Sequence, residues 1–343
     1  MLIAIRARLM DELLPWVSGV NRLQLCEHLV ARDVHPVLRF AVGLDGDYEV
    51  FLDPAGIEPA LARDFLDHAI TSLVPDTKET TLAERWGRPS MEPQLRIYLA
   101  GNVALERGDL LVPESRLPGS QGRLTFALLV AERSNTLSTE TIADVLWDGE
   151  RPASWGTALR ALISKLRGVV AATGASGTIE HAVGCYQLRV PPDTWVDVEA
   201  AAGAVHDAEV ALRAGDLEAT TGAALVANAI SRRPFLEGID REWVHRQRAQ
   251  LRDIQVRSLW CRAESAFARG DHSDAIGDAQ RIIALEPFRE QAYVMLMRAQ
   301  VDAGNNAEAL ATYERLRETL ASELGASPSP TTEAAFIDVL RAT

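Results

Sequence analysis

Arg160, Ser164 and Arg167 stand at i, i+4 and i+7 and so form one line along a helix. Thr157 and Lys165 flank that line, and the small Ala161 lets a groove wall come close. Arginine presents a planar fork of donors that matches the acceptor edge of guanine and also suits phosphate. On the other side of the same segment, Leu159, Leu162, Ile163, Leu166 and Val170 recur at three- and four-residue intervals and predict a buried stripe. A helix with donors on one face and apolar residues on the other can read DNA. Arg160 and Ser164 would then point to base edges, Lys165 and Arg167 to phosphates, and Thr157 to a phosphate near the helix start. The plainer alternative is a solvated basic face.

The flanks favour the first reading. Arg151 lies in the loop ahead of the helix and is a candidate phosphate contact. His181 and Arg189 lie in a hairpin that follows, a wing. Between Arg151 and Glu180 the chain carries Arg151, Arg160, Lys165 and Arg167 and no acid. The whole chain has a net charge of −13, which argues naively against a nucleic-acid partner. The excess of acid lies on either side of residues 94–192, and salt screens charge beyond about 10 Å, so the local window governs what a phosphate backbone meets. Tyr186 is expected in the core beneath the hairpin, and Trp147 and Trp155 at the turn between two helices.

Elements must position these residues. LRIYLAGNVALERGDLLV, from Leu95, predicts three short strands. Helical patterns follow at about Gly122–Arg133, Ser138–Trp147 with Ser138 as N-cap, and Ala153–Ala172. TIEHAVGCYQLRV then reads as the hairpin, closed by Pro191 and Pro192. Sheet, three helices and hairpin in that order predict a winged helix-turn-helix over 94–192.

From Asp197 onward every pattern is helical. ARGDHSDAIGDAQRI matches DAGNNAEALATYERL at an offset of 34 residues, with Gly270 on Gly304 and Ala275 on Ala309. That is the tetratricopeptide period. RAGDLEA, from Arg213, echoes the same corner. Arginines and acids between Arg232 and Asp253 are expected to form ion pairs on solvated helices. Ahead of the winged helix, Val37–Asp53 predicts two strands, about 57–74 predicts a helix, and 76–93 reads as a linker.

Other chemistries find little support. Cys26, Cys185 and Cys261 form no CxxC pair, so neither a thiolate zinc site nor a disulfide framework is expected. Neither lysine, Lys78 or Lys165, sits in a phosphate-binding loop, and HExxH, GxSxG and a dinucleotide-binding glycine motif are absent. His35, Asp67 and His68 make no convincing set. An enzyme, a metal or a cofactor is not expected, and Arg6 and Arg8 interrupt the apolar N-terminus where a signal peptide would be uncharged.

IADVLWDGERPAS, ALRALISKLRGVV and GCYQL, followed by RPFLEGIDREWVHRQRAQL and ALATYERLRETLASELGASPSPTTEA, occur in an order and spacing that resemble the SARP-type activators of actinomycetes. The resemblance covers roughly residues 94–340. It implies an OmpR-like winged helix joined to a bacterial transcriptional activator domain of tetratricopeptide type, binding to direct repeats near promoters, contact with RNA polymerase, and a homodimer on double-stranded DNA. Two features depart from it: residues 1–90 are an extension, and Gln121, Gly122 and Arg123 stand where relatives are more basic. The expectation is therefore a mainly α, multidomain, cytoplasmic regulator with no membrane partner: a small α+β N-terminal unit (1–75), a linker, the winged helix, and a tetratricopeptide-like helical domain (193–343). The N-terminal unit could be an input domain or a dimerisation or autoinhibitory module. A tetratricopeptide adaptor, or an enzyme within residues 1–90, are the rival readings.

Overall fold

The computed structural model describes residues 94–342 throughout and, ahead of them, three strands; the chain divides into compact units at Met1–Ser90 and Met91–Thr343. In the first unit, β1 (Ile3–Arg8), β2 (Leu38–Val42) and β3 (Asp47–Leu52) form an antiparallel sheet in the order β1-β3-β2. Leu52 of β3 stands opposite Ile3 on one side and Leu38 on the other. The two strands expected within Val37–Asp53 are β2 and β3. β1 was not expected from its pattern, and the predicted helix at 57–74 and linker at 76–93 lie outside the described residues.

The second unit begins with the expected meander, β4 (Leu95–Tyr98), β5 (Ala104–Arg107) and β6 (Leu110–Val112). Alternation puts Leu95 and Ile97 of β4 inward. A single 3-10 turn, Glu114–Arg116, leads to α1 (Gly119–Ala131). This helix starts three residues earlier than expected, because the Gly122 amide already donates to the Pro118 carbonyl at 3.1 Å. A Cβ on Gly122 would stand 2.5 Å from the Pro118 ring, so the close approach requires glycine. Arg123 pairs with Glu114 at 2.9 Å. The departure from basic residues here thus has a packing cause.

A short strand, β7 (Leu137–Ser138), precedes α2 (Thr139–Trp147) and α3 (Trp155–Ala171). β8 (Thr178–Ala182) and β9 (Cys185–Arg189) form the wing, and β7 pairs with β9 to give the order β7-β9-β8. The chain then returns as β10 (Trp195–Val196), which lies parallel to β4 and completes the first sheet in the order β10-β4-β5-β6.

Helices follow without interruption: α4 (Asp197–Ala214), α5 (Leu217–Ser231), α6 (Glu242–Ala268), α7 (His272–Leu285), α8 (Glu290–Asp302), α9 (Asn306–Leu324) and α10 (Pro330–Ala342). The repeat read from the sequence is a repeat of backbone geometry. Gly215, Gly270 and Gly304 have φ of 77°, 79° and 79°. After each glycine the next amide reaches five residues back: Asp216 to Ala211 at 3.0 Å, Asp271 to Ala266 at 2.9 Å, Asn305 to Gln300 at 2.8 Å. This is the glycine-terminated helix end, in which a left-handed residue lets the following N–H satisfy an orphan carbonyl. The matched Ala275 and Ala309 are both fully buried, where a small side chain lets helices approach.

One hydrophobic core runs from Leu95 to Ile254 and includes Phe235, Trp243, Val244 and Leu251 from the helical part. The core of the winged helix therefore continues into the helical part. Where the parts meet, the fully buried Asp197 carboxylate accepts from the amides of Leu99 (2.9 Å), Ala100 (3.0 Å) and Val198 (2.8 Å). Burial raises its pKa, and these amides and the nearby Arg233 oppose that shift. The Gly101 amide donates to the Pro234 carbonyl at 2.7 Å, and Arg133 and Glu199 form a two-pronged pair.

Candidate nucleic-acid interface

The helix-turn-helix is built from α2, its turn and α3. Ser138 caps α2 as expected: its Oγ accepts from the Thr141 amide at 3.0 Å. α2 ends on Asp148, whose φ of 49° reverses the chain. The turn back is held by side chains. Arg151 pairs with Asp144 and lies with its guanidinium carbon 5.0 Å from the centre of the Trp155 ring. Trp147 and Trp155 meet edge to face at 6.5 Å. The two tryptophans pack where the sequence places them. Arg151 is engaged inside the protein, so any phosphate it touches must share it with Asp144.

Leu159, Ile163, Leu166 and Val170 of α3 are buried and Leu162 is half-buried, as the spacing predicts. Val169 joins the stripe beside Val170. Thr157, Arg160, Ala161, Ser164, Lys165, Arg167 and Gly168 are exposed along the opposite side. The chemistry of that face is graded. Arg160 donates to the Thr157 hydroxyl at 3.3 Å, a local bond that orients the guanidinium along the helix. Lys165 has no ion-pair or hydrogen-bond partner among the described residues. Arg167 donates through Nε to the Ile179 carbonyl at 2.7 Å, tying α3 to the wing and leaving its remaining N–H groups toward the surface.

The wing turns through Val183 and Gly184, with φ of 51° and 73°, the paired positive angles of a tight two-residue hairpin. The Gly184 carbonyl is anchored by Thr139 at the start of α2, through its amide at 2.9 Å and its hydroxyl at 2.6 Å. His181 is exposed and packs on the buried Tyr186, ring centres 4.5 Å apart. Tyr186 is thus a core residue, as expected. Arg189 pairs with Glu180 at 3.1 Å with both side chains more than half exposed. The wing is therefore nearly neutral, and the free positive charge concentrates on α3.

The structure brings Thr157, Arg160, Ser164, Lys165 and Arg167 onto one face. It sets Arg151 at the foot of that face and His181 and Arg189 on the adjoining hairpin. Among the described residues no group of three or more His, Cys, Asp or Glu side chains could hold a metal, and no helix is long and apolar enough to cross a membrane.

One expectation is corrected. The interleaved charges between Arg232 and Asp253 predict an ion pair for Arg248 on a solvated helix. Instead it donates to three carbonyls, Phe235 (2.9 Å), Leu236 (2.7 Å) and Ile239 (3.1 Å), because the loop before α6 turns its backbone oxygens inward. Arg241, which ends that loop, donates to the Leu146 carbonyl in the last turn of α2 at 3.2 Å. The sequence carries no signal for either bond, since both depend on how distant backbone is folded.

Comparison with known proteins agrees with this architecture. Residues 196–340 match the family described as the bacterial transcriptional activator domain. The chain is 30% identical over 250 residues to the regulatory protein AfsR of Streptomyces coelicolor, covering 72% of this chain and 24% of that protein. It is 27% identical over 235 residues to the regulatory protein DnrI of Streptomyces peucetius, covering 66% of this chain and 85% of that one. A solved structure of Mycobacterium tuberculosis EmbR, in complex with a low-affinity phosphopeptide, superposes with a TM-score of 0.64 at 24% identity, covering 73% of this chain and 66% of EmbR. The fold is shared with EmbR, and this chain spans about a quarter of the length of AfsR.

Proposed function

We propose that this chain, a SARP-type regulator by its activator domain and its relatives, is a sequence-specific DNA-binding activator of transcription. The observation that carries the proposal is α3: one face buried, the other exposing Arg160, Ser164 and Lys165 beside Arg167. Arg160 and Ser164 read base edges in the major groove, and Lys165, Arg167 and Thr157 hold phosphates. Arg151, His181 and Arg189 add backbone contacts from the turn and the wing.

The four cations between Arg151 and Glu180, with Arg189 shared with Glu180, carry limited affinity per subunit, since each phosphate contact contributes about 0.9 to the logarithmic salt slope. Two copies on a direct repeat double that number. We therefore place a homodimer on tandem half-sites, with the acidic helical domain contacting RNA polymerase from the promoter and the protein acting in the cytoplasm. The N-terminal unit supplies input or restrains DNA binding.

An electrophoretic shift across a salt series tests the site, using duplexes that the full chain enriches from a randomised pool. Arg160→Ala is expected to lose most of the binding. Lys165→Ala is expected to weaken binding to all duplexes alike and lower the salt slope by about 1. Unchanged affinity in Arg160→Ala sinks the assignment.

A further inference from the structure

We propose that Arg241, at the start of α6 in the activator domain, is a positioning residue that sets the angle of α3 against DNA. The inference rests on the DNA reading above. The half-buried Arg241 guanidinium bridges two backbone oxygens: Nε donates to Leu146 at 3.2 Å and the terminal nitrogen to its own neighbour Asp240 at 2.6 Å. Leu146 lies in the last turn of α2, where unsatisfied carbonyls make the negative end of the helix and a cation is favoured.

From that carbonyl a continuous set of contacts leads to the DNA face. Leu146 is followed by Trp147, which packs on Trp155, the first residue of α3. Arg151 closes the same turn by pairing with Asp144 of α2 and stacking over Trp155. The grip at Arg241 thus acts on the turn that fixes the crossing of α2 and α3. That crossing determines how Arg160 and Ser164 meet base edges.

Arg241 is itself held from a stiff support. Arg248 clamps the carbonyls of Phe235, Leu236 and Ile239 just ahead of it, and Leu236 is buried with a left-handed φ of 46°. Such a conformation persists only where its surroundings enforce it. The junction does not need Arg241 to stay assembled. On the sheet side it is closed by Asp197, by the Gly101–Pro234 bond, by a β-bridge between Ala100 and Phe235, and by Arg133 with Glu199. Those contacts fasten the activator domain to β4 and the end of α1, and Arg241 reaches the helix-turn-helix. A shift of α6 would accordingly be felt at α3.

The test compares the full wild-type chain with Arg241→Ala and Arg241→Lys. Two probes are used: a duplex enriched by the wild type from a randomised pool, and an unrelated duplex of equal length. In Arg241→Ala, affinity for the enriched duplex is expected to fall about tenfold, the size of one mismatched base pair. Affinity for the unrelated duplex, its salt slope and the thermal transition should stay as in the wild type, and Arg241→Lys should recover part of the loss. In the free protein labelled with 5-fluorotryptophan, the Trp155 resonance should move in Arg241→Ala. An equal loss on both duplexes, or no loss, overturns the proposal. If the wild type enriches no duplex, the DNA reading fails; a Trp155 resonance unmoved by Arg241→Ala shows separately that the mechanical link is absent.

Discussion

The helical repeats and the helix-turn-helix each hold two helices at an angle, and they draw on different support. The corners at Gly215, Gly270 and Gly304 share one backbone device, a left-handed residue and an amide reaching five residues back, and the side chains that join it at Asp216 and Asp271 bond only to near neighbours. The turn between α2 and α3 is held by side chains, with Asp144, Trp147, Arg151 and Trp155 inside it and Arg241 from outside. A local corner is self-sufficient and can be copied along a chain. A corner that a distant side chain, Arg241, also grips can be adjusted from outside, which is what the proposed DNA reading asks of α3.

The largest expected effect comes from cutting between the two. A fragment of residues 94–192 loses β10, Phe235, Trp243 and Val244 from the common core. Each large apolar side chain contributes about 1.5–3 kcal/mol on burial, so the loss rivals the roughly 5–15 kcal/mol that stabilises a whole domain. Circular dichroism should show no cooperative thermal transition for the fragment and a clear one for residues 94–343. A sharp transition in the fragment would mean that the winged helix closes its own core after all.

Next in size is a backbone corner. Gly270→Ala introduces a Cβ that meets nothing within 4 Å, so its whole cost is the left-handed conformation, about 1–2 kcal/mol. Chemical denaturation should show that loss with DNA selectivity intact. The side-chain corner should respond the other way. Arg151→Ala removes an ion pair and a cation–ring contact, together about 2 kcal/mol at most. Its effect on discrimination between enriched and unrelated duplexes should exceed what that small loss of stability suggests. Equal discrimination in the two variants would erase the contrast.

The smallest effect concerns the ion pair that braces α4 on α6. Arg257 grips Glu209 with bonds of 2.7 and 2.9 Å. The hydrogen bonds from Arg257 hold the Glu209 carboxyl below the usual carboxylate range. With its folded pKa depressed, the pair stabilises the protein above the unfolded value of about 4.3 and loses that contribution as pH falls through the lower folded value. The pair is partly exposed, so the contribution is about 1 kcal/mol at most. Glu209→Gln should flatten the acid side of a plot of melting temperature against pH by that amount and leave the neutral side almost level.

The same contrast decides what could be read in the sequence. Gly270 and Gly304, with the buried Ala275 and Ala309, were legible at an offset of 34 residues, because each corner is encoded within a few neighbours. The α3 stripe and the Ser138 cap were legible for the same reason. β7 and β10 were not: each is two residues long and exists only through a distant partner, Trp195 pairing with Arg96 across the whole winged helix. Asp197 reads as an ordinary acid in the first turn of a helix, yet it is buried against the amides of Leu99 and Ala100. Arg241 and Arg248 look like surface charges until folding brings the carbonyl of Leu146 to one and those of the loop before α6 to the other. On the candidate interface the residue types and their common face were legible. The internal engagement of Arg151 and Arg189 was not, since it depends on where Asp144 and Glu180 fall in space.

The central claim is that the exposed face of α3 reads DNA sequence. Mapping bound sites across the genome, with the wild-type chain and with Arg160→Ala, tests it most directly. The wild type is expected to occupy promoter sites sharing a tandemly repeated motif, and Arg160→Ala to lose most of that occupancy. Identical occupied sites in both, or wild-type occupancy with no shared motif, would contradict it.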